Sequence, residues 1–191
     1  MKRLILLIII FALTSCDLFT TRTPENPTTS ATTTIPATTP AILFNNFKSS
    51  IEDKVLDNYM ACFVDSAFLK SKYRFIASSG SGSSYSVLNS WSLEAEKQYF
   101  RNMKAIASEG SSITLNLSNQ INTQFGDSAV YQLDYTLSIL SADKTITGDY
   151  QGTSQFKIFL DSRNQWVIVQ WDDSRKGDEP SWSDLKGRLG N

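Results

Sequence analysis

The sequence predicts an α+β domain in which N-terminal helices pack on an antiparallel meander sheet. Three observations lead there. Apolar residues recur at threes and fours in two stretches before residue 108. After Gly110 the period drops to two, in four successive segments. Those segments are joined by short polar turns, the pattern of strands that follow one another through hairpins. Helices early and strands late make an α+β rather than an α/β order. About 150 residues from Ile42 onward are enough for one domain with its own core.

Two elements precede that domain. Lys2 and Arg3 are followed by an unbroken apolar run, Leu4 to Leu13, then by the small residues Thr14 and Ser15. Positive, apolar, small is the layout of a secretory signal peptide over residues 1–15. A ten-residue apolar helix rises only about 15 Å, half the thickness of a hydrocarbon core. Leu13-Thr14-Ser15-Cys16 resembles the lipobox of bacterial lipoproteins. That resemblance implies that the Cys16 thiol carries a diacylglycerol, that the signal is cut just before it, and that the membrane is this protein's partner through the lipid. Two or three acyl chains are enough for stable anchoring. Location in the bacterial cell envelope follows, and Asp17 bears on the choice between inner and outer membrane, which stays open. Residues 16–41 hold the lipidated Cys and a segment rich in Thr and Pro with almost nothing to bury, so a disordered tether is expected. About 25 residues of extended polyproline would reach about 75 Å.

Composition excludes several functions. The chain has 18 Lys/Arg, 19 Asp/Glu and no His. Loss of Lys2 and Arg3 with the signal leaves a net charge near −3, so neither nucleic acid nor anionic lipid finds a basic surface. Without His there is no cysteine-histidine zinc site and no Ser-His-Asp or Cys-His nucleophile. Neither a metal nor a cofactor is expected. Once Cys16 is lipidated, Cys62 is the last thiol, and it reads as a small core residue.

Within residues 42–191, Phe44, Phe47, Ile51, Val55, Leu56, Tyr59 and Phe63 form one stripe, predicting a helix over about 45–63. The stretch with Phe68, Tyr73 and Phe75 suits one helical turn and then a strand. SSGSGSSYS, residues 78–86, reads as a flexible loop and lacks the Lys and spacing of a phosphate-binding loop. Trp91, Ala95, Tyr99, Met103 and Ile106 predict a second helix over 91–107, with Ser90 as its N-cap. Strand segments then follow around Ile113–Leu117, Tyr131–Ile139, Tyr150–Leu160 and Trp166–Asp173. In the last one Trp166 and Ile168 face one side, while Val167, Val169 and Trp171 face the other. A strand apolar on both faces should be covered on both. The outer cover is expected to be the tail, with Trp182 and Leu185, or else a second copy of the protein in a homodimer.

Over residues 43–173 this pattern resembles the nuclear transport factor 2-like family, the cystatin-like α+β cones. The resemblance rests on Tyr59-Met60-Ala61-Cys62-Phe63 ending the first helix, on a second helix opening at Trp91 with Glu94, Glu96, Tyr99 and Phe100, and on the last strand Trp166 to Asp173. It implies a sheet curved around the helices with a conical pocket. Members isomerise or dehydrate small apolar molecules, or bind ligands or partners. The enzymes place an Asp with His or Tyr in the cone, and this chain leaves only Asp or Glu with Tyr. Tyr99, Tyr131, Tyr135, Tyr150, Phe156 and Trp166 are the candidate walls of the cone. They suit a small apolar or amphipathic ligand, and they equally suit a filled core. Asp134 is expected outward, Asp172 and Asp173 in water at a strand end, and Glu94 and Glu96 at the positive end of a helix. No carboxylate has a reason in sequence to be desolvated. The expected role is noncatalytic binding of a small apolar ligand or an envelope protein. The alternatives are an isomerase or dehydratase of the ketosteroid-isomerase type and a structural protein with a filled core.

Overall fold

The computed structural model describes residues 34–107 and 111–190. The expected signal peptide, the expected lipidation point Cys16 and most of the expected tether lie outside the described residues. The elements are helix α1 (Pro40–Glu52), helix α2 (Leu56–Ala61), strand β1 (Arg74–Ile76), a single helical turn α3 (Ser81–Ser84), a 3-10 turn (Ser86–Ser90) and helix α4 (Leu93–Ile106). Strands β2 (Ser112–Phe125), β3 (Ser128–Leu140), β4 (Gly148–Leu160) and β5 (Trp166–Arg175) follow, and helix α5 (Trp182–Leu189) ends the domain.

The predicted first helix is two helices. Thr39 caps α1, accepting the Ile42 amide, and Pro40 sits at its first position, where no amide is missed. At Lys54 the backbone turns left-handed, φ 57°, and the helix stops. The Lys54 ammonium holds the carbonyls of Ala107 and Ser111 at 3.1 and 2.7 Å, tying this break to the end of α4. The second helix starts two residues later than the sequence predicts. Ser92, not Ser90, accepts the Ala95 amide as its N-cap.

The sheet has five strands in the order β1-β5-β4-β3-β2. Strands β2 to β5 form the predicted antiparallel meander, and β1 adds a short parallel edge to β5. Register places Tyr131 opposite Phe156, Tyr135 opposite Gly152 and Leu137 opposite Tyr150, so these residues share the inner face. Gly152 is required there, because a Cβ would stand 2.6 Å from the Tyr135 hydroxyl. Between Lys157 and Ile158 the pairing with β5 slips by one residue at Val169. This bulge puts Trp171 on the same face as Ile168 rather than the opposite one, correcting the simple alternation. Trp171 is fully buried against Phe47, Phe75 and Phe156.

Helices α1 and α5 lie against the sheet, and α4 packs on α2 and α5. The tail therefore folds back as expected but onto the other face. Trp182 packs edge-on to Trp171, ring centroids 4.6 Å apart, and touches Phe47 and Tyr135 in the interior. Trp182 and Leu185 bury there instead of covering the outside of β5. Residues 78–86 are not a free loop either. Ser78 and Ser81 are buried; the Ser78 hydroxyl meets those of Ser81 and of Ser181 at α5's cap, and the Ser81 hydroxyl donates to the Asp184 carboxylate.

Candidate functional site

The interior of the cone is built around a carboxylate. Glu96, in the first turn of α4, is fully buried. Its Oε1 accepts the Tyr59 hydroxyl at 2.6 Å, and its Oε2 accepts the Tyr73 hydroxyl and the Trp91 indole N–H, both at 2.8 Å. Both oxygens accept the Lys186 ammonium at 2.6 Å. Lys186 comes from α5 and is likewise fully buried. Its Nζ stands 3.8 Å from the centre of the Trp171 ring and 4.0 Å from that of Phe75, with Trp91 and Tyr99 at 5.4 Å. A cation against ring faces is attracted by their negative quadrupole, and more so away from water. Burial pulls the Lys186 ammonium down to about 8, while Glu96 opposes that shift. Burial, and then the Glu96 charge, raises the Tyr59 and Tyr73 hydroxyls well above the ordinary phenol value.

A second buried carboxylate lies on β5. Asp173 Oδ1 accepts the Tyr135 hydroxyl at 2.7 Å, and Oδ2 accepts the amide and hydroxyl of Ser183. The Tyr135 oxygen in turn accepts the Trp182 amide at 2.7 Å. Burial raises Asp173, against the pull of its Ser183 and Tyr135 bonds. A third, Asp184, closes a capping box with Ser181 and receives Ser81 and Arg175, both at 2.8 Å. The first turn of α5 is thus fastened to β3, β5 and the Ser78–Ser81 segment through side chains that complete its cap.

Two of these carboxylates correct the expectation from sequence. Glu96 is not at a solvated helix start, and Asp173 is not in water at a strand end. Each was placed by its neighbours rather than its own type. Glu96 falls in the buried series Glu96, Tyr99, Phe100, Met103, and Lys186 falls in the series Trp182, Leu185, Lys186, Leu189. An acid on one apolar stripe and a base on another was the available signal. Asp134 does lie on the opposite face. Bonds from Asn119, Thr153 and Lys176 hold its carboxyl at about 2. Glu94 is exposed and Asp172 half-buried.

The six candidate wall residues are all buried. Tyr131 and Phe156 pack on Phe44, at 5.0 and 5.4 Å between centroids. Tyr135 packs on Trp182. Tyr99 accepts the Trp182 indole N–H at 2.9 Å. Tyr150 donates to the Ile146 carbonyl at 3.0 Å. Trp166 pairs with Leu160 at the start of β5. Open space lies elsewhere. A cavity of about 510 Å³ is lined by Met60, Phe63, Tyr73 and Leu93 with Lys72 and Asp65, and one of about 360 Å³ lies between α1 and residues 116–120 of β2. Neither includes any of the six. Cys62 is buried, its thiol pushed up to about 12 by that burial. Among the described residues no three His, Cys, Asp or Glu side chains gather to hold a metal ion.

No protein-family model and no curated protein matches the chain. Solved structures do. A nuclear transport factor 2-like superfamily protein from Salmonella enterica serovar Typhimurium superposes with TM-score 0.53 at 14% identity, over 71% of this chain and 87% of that one. A candidate scytalone dehydratase from Novosphingobium aromaticivorans gives 0.56 at 9% identity, over 70% and 79%. A candidate dehydratase of the same family from Streptomyces avermitilis gives 0.52 at 12%, over 71% and 92%. The domain therefore has the nuclear transport factor 2-like fold, with its cone occupied by its own C-terminal helix.

Proposed function

We propose that this chain is a bacterial lipoprotein whose Cys16 carries the lipid, whose Thr/Pro segment is a tether, and whose cone domain binds an envelope partner without catalysis. The observation that carries the noncatalytic reading is the occupied interior. Helix α5 places Trp182 and Lys186 where a substrate would lie, and the acceptor atoms of Glu96 and Asp173 are taken by donors of the chain itself. Among the described residues every buried side-chain nitrogen or oxygen has a partner. A base or acid needs a free lone pair or proton facing the substrate, and neither carboxylate offers one with α5 in place.

Recognition then falls to the outside of the sheet. Ile121, Phe125 and Phe159 are exposed there, on the face opposite Tyr131 and Phe156. Large apolar residues in water on a sheet face suit a protein contact. A second copy of the chain is one such partner.

One observation favours a second reading. Asp173 is a buried carboxylate with a raised pKa bonded to a Tyr hydroxyl, the pairing that isomerase or dehydratase chemistry of the ketosteroid-isomerase type would use. Two of the neighbours above are described as dehydratases, and that chemistry would here require α5 to withdraw. Native mass spectrometry of the full chain in detergent separates the readings. A native mass equal to that of the lipidated polypeptide, or twice it, is expected. A stoichiometric small molecule lost on denaturation would favour the enzyme.

A further inference from the structure

We propose that the interior of the cone is a recognition site for a primary ammonium group on an unbranched alkyl chain, occupied in cis by Lys186. The inference rests on the reading that α5 fills the cone and goes beyond it, because it assigns the filled space a ligand chemistry.

The site is complete without α5. Glu96 is supplied by α4, Tyr59 by α2, Phe75 by β1 and Trp171 by β5, while Tyr73 and Trp91 come from the segments just before β1 and α4. Tyr59, Tyr73 and Trp91 fix both carboxylate oxygens, and none of these donors belongs to α5. What the carboxylate lacks without α5 is a cation. Trp171 and Phe75 present rings at 3.8 and 4.0 Å from where that cation sits. One anionic pole, fixed by neutral donors and faced by aromatic rings, is the chemistry that selects an ammonium over a neutral group of equal size. Both oxygens contact Nζ, so the ligand must carry N–H donors.

The arrangement is not one that core stability alone would select. Desolvating two charges costs about as much as their attraction returns, and an apolar pair of similar volume is often as stable. Lys186 reaches the site from α5, which joins β5 through the exposed segment around Gly177, φ 66°.

Chemical rescue tests this on the full chain. Lys186→Ala removes the atoms of n-propylammonium. The midpoint of unfolding of this variant should rise saturably with n-propylammonium, with an apparent Kd of roughly millimolar for so small a ligand. Neither 1-propanol, which lacks the charge, nor tetramethylammonium, which lacks N–H, should reproduce it. The added variant Glu96→Gln should remove the effect. If Lys186→Ala does not fold alone, refolding with n-propylammonium should restore the folded fraction, and its failure to do so overturns the proposal. Equal rescue by 1-propanol also overturns it, since the space would then be merely apolar. Either result leaves the native-mass outcome, and with it the noncatalytic reading, standing on its own.

Discussion

Replacing Lys186 with Met keeps the volume of the side chain and deletes its charge. Glu96 then stays buried with no countercharge. Removing one member of a buried ion pair costs about 3–5 kcal/mol. Three neutral donors still reach Glu96, and each bond to a charged group offsets part of that, which places the expected loss near 3 kcal/mol. For a domain of this size 1 kcal/mol moves the melting temperature by about 2–4 °C, so a fall of about 6–12 °C is expected. Trp91 and Trp171 face the pair, so tryptophan fluorescence during denaturant unfolding reads the change directly. Glu96→Gln should cost a similar amount at pH 7 and less at higher pH. Burial holds the parent's Lys186 ammonium at about 8 against the upward pull of Glu96, so loss of Glu96 lowers it further; the folded variant sheds this proton at lower pH than the parent, and its deficit shrinks as pH rises towards about 8. The double variant should lose far less than the two single losses together. A Lys186→Met protein within about 1 kcal/mol of the parent, or a double variant with additive losses, would refute the reasoning.

Acid should destabilise the fold below about pH 4. Asp134, Asp161 and Asp184 are all held below the ordinary carboxylate value by hydrogen bonds and cations. Their contribution is fully present above the unfolded value and lost as pH falls through the folded ones, while the raised Asp173 works in the opposite sense; urea midpoints from pH 6 to pH 2 check the net fall. Gly187→Ala should cost about 1–3 kcal/mol, since the new methyl would stand 2.3 Å from the Tyr85 ring, and Tyr85→Ala in the same chain should recover much of it. Cys16→Ala should release the protein from membranes, checked by fractionation and intact mass; a variant still acylated and still pelleting would contradict the anchor.

The sheet was legible in sequence because its alternation survives long strands with a buried face. Tyr131 to Ile139 keeps one parity for its whole length, and the structure buries those residues. The last strand was not, because one extra residue at Val169 moves Trp171 to the other face and leaves no compositional trace. The first helix was read through Lys54, since apolar spacing continues across the break and nothing in a Lys announces a left-handed φ. The site was barely legible. Of the six candidate wall residues only Tyr99 faces Lys186 and only Tyr135 reaches Asp173, while Tyr59, Tyr73, Phe75, Trp91 and Trp171 were not among them. Glu96 and Lys186 were missed because a charged residue is assigned to solvent by default, and only their positions on two apolar stripes argue otherwise. That the two meet is a tertiary fact, 90 residues apart.

The central claim is that α5 is an integral part of the cone. Amide hydrogen exchange on the full chain tests it most directly. The Trp182 amide is bonded to the Tyr135 hydroxyl and the Ser183 amide to Asp173, so peptides covering residues 181–189 should be protected as strongly as those of β3 and β4. Exchange of that segment at the rate of an open loop, with β3 and β4 still protected, would contradict the account and return the cone to the status of an empty pocket.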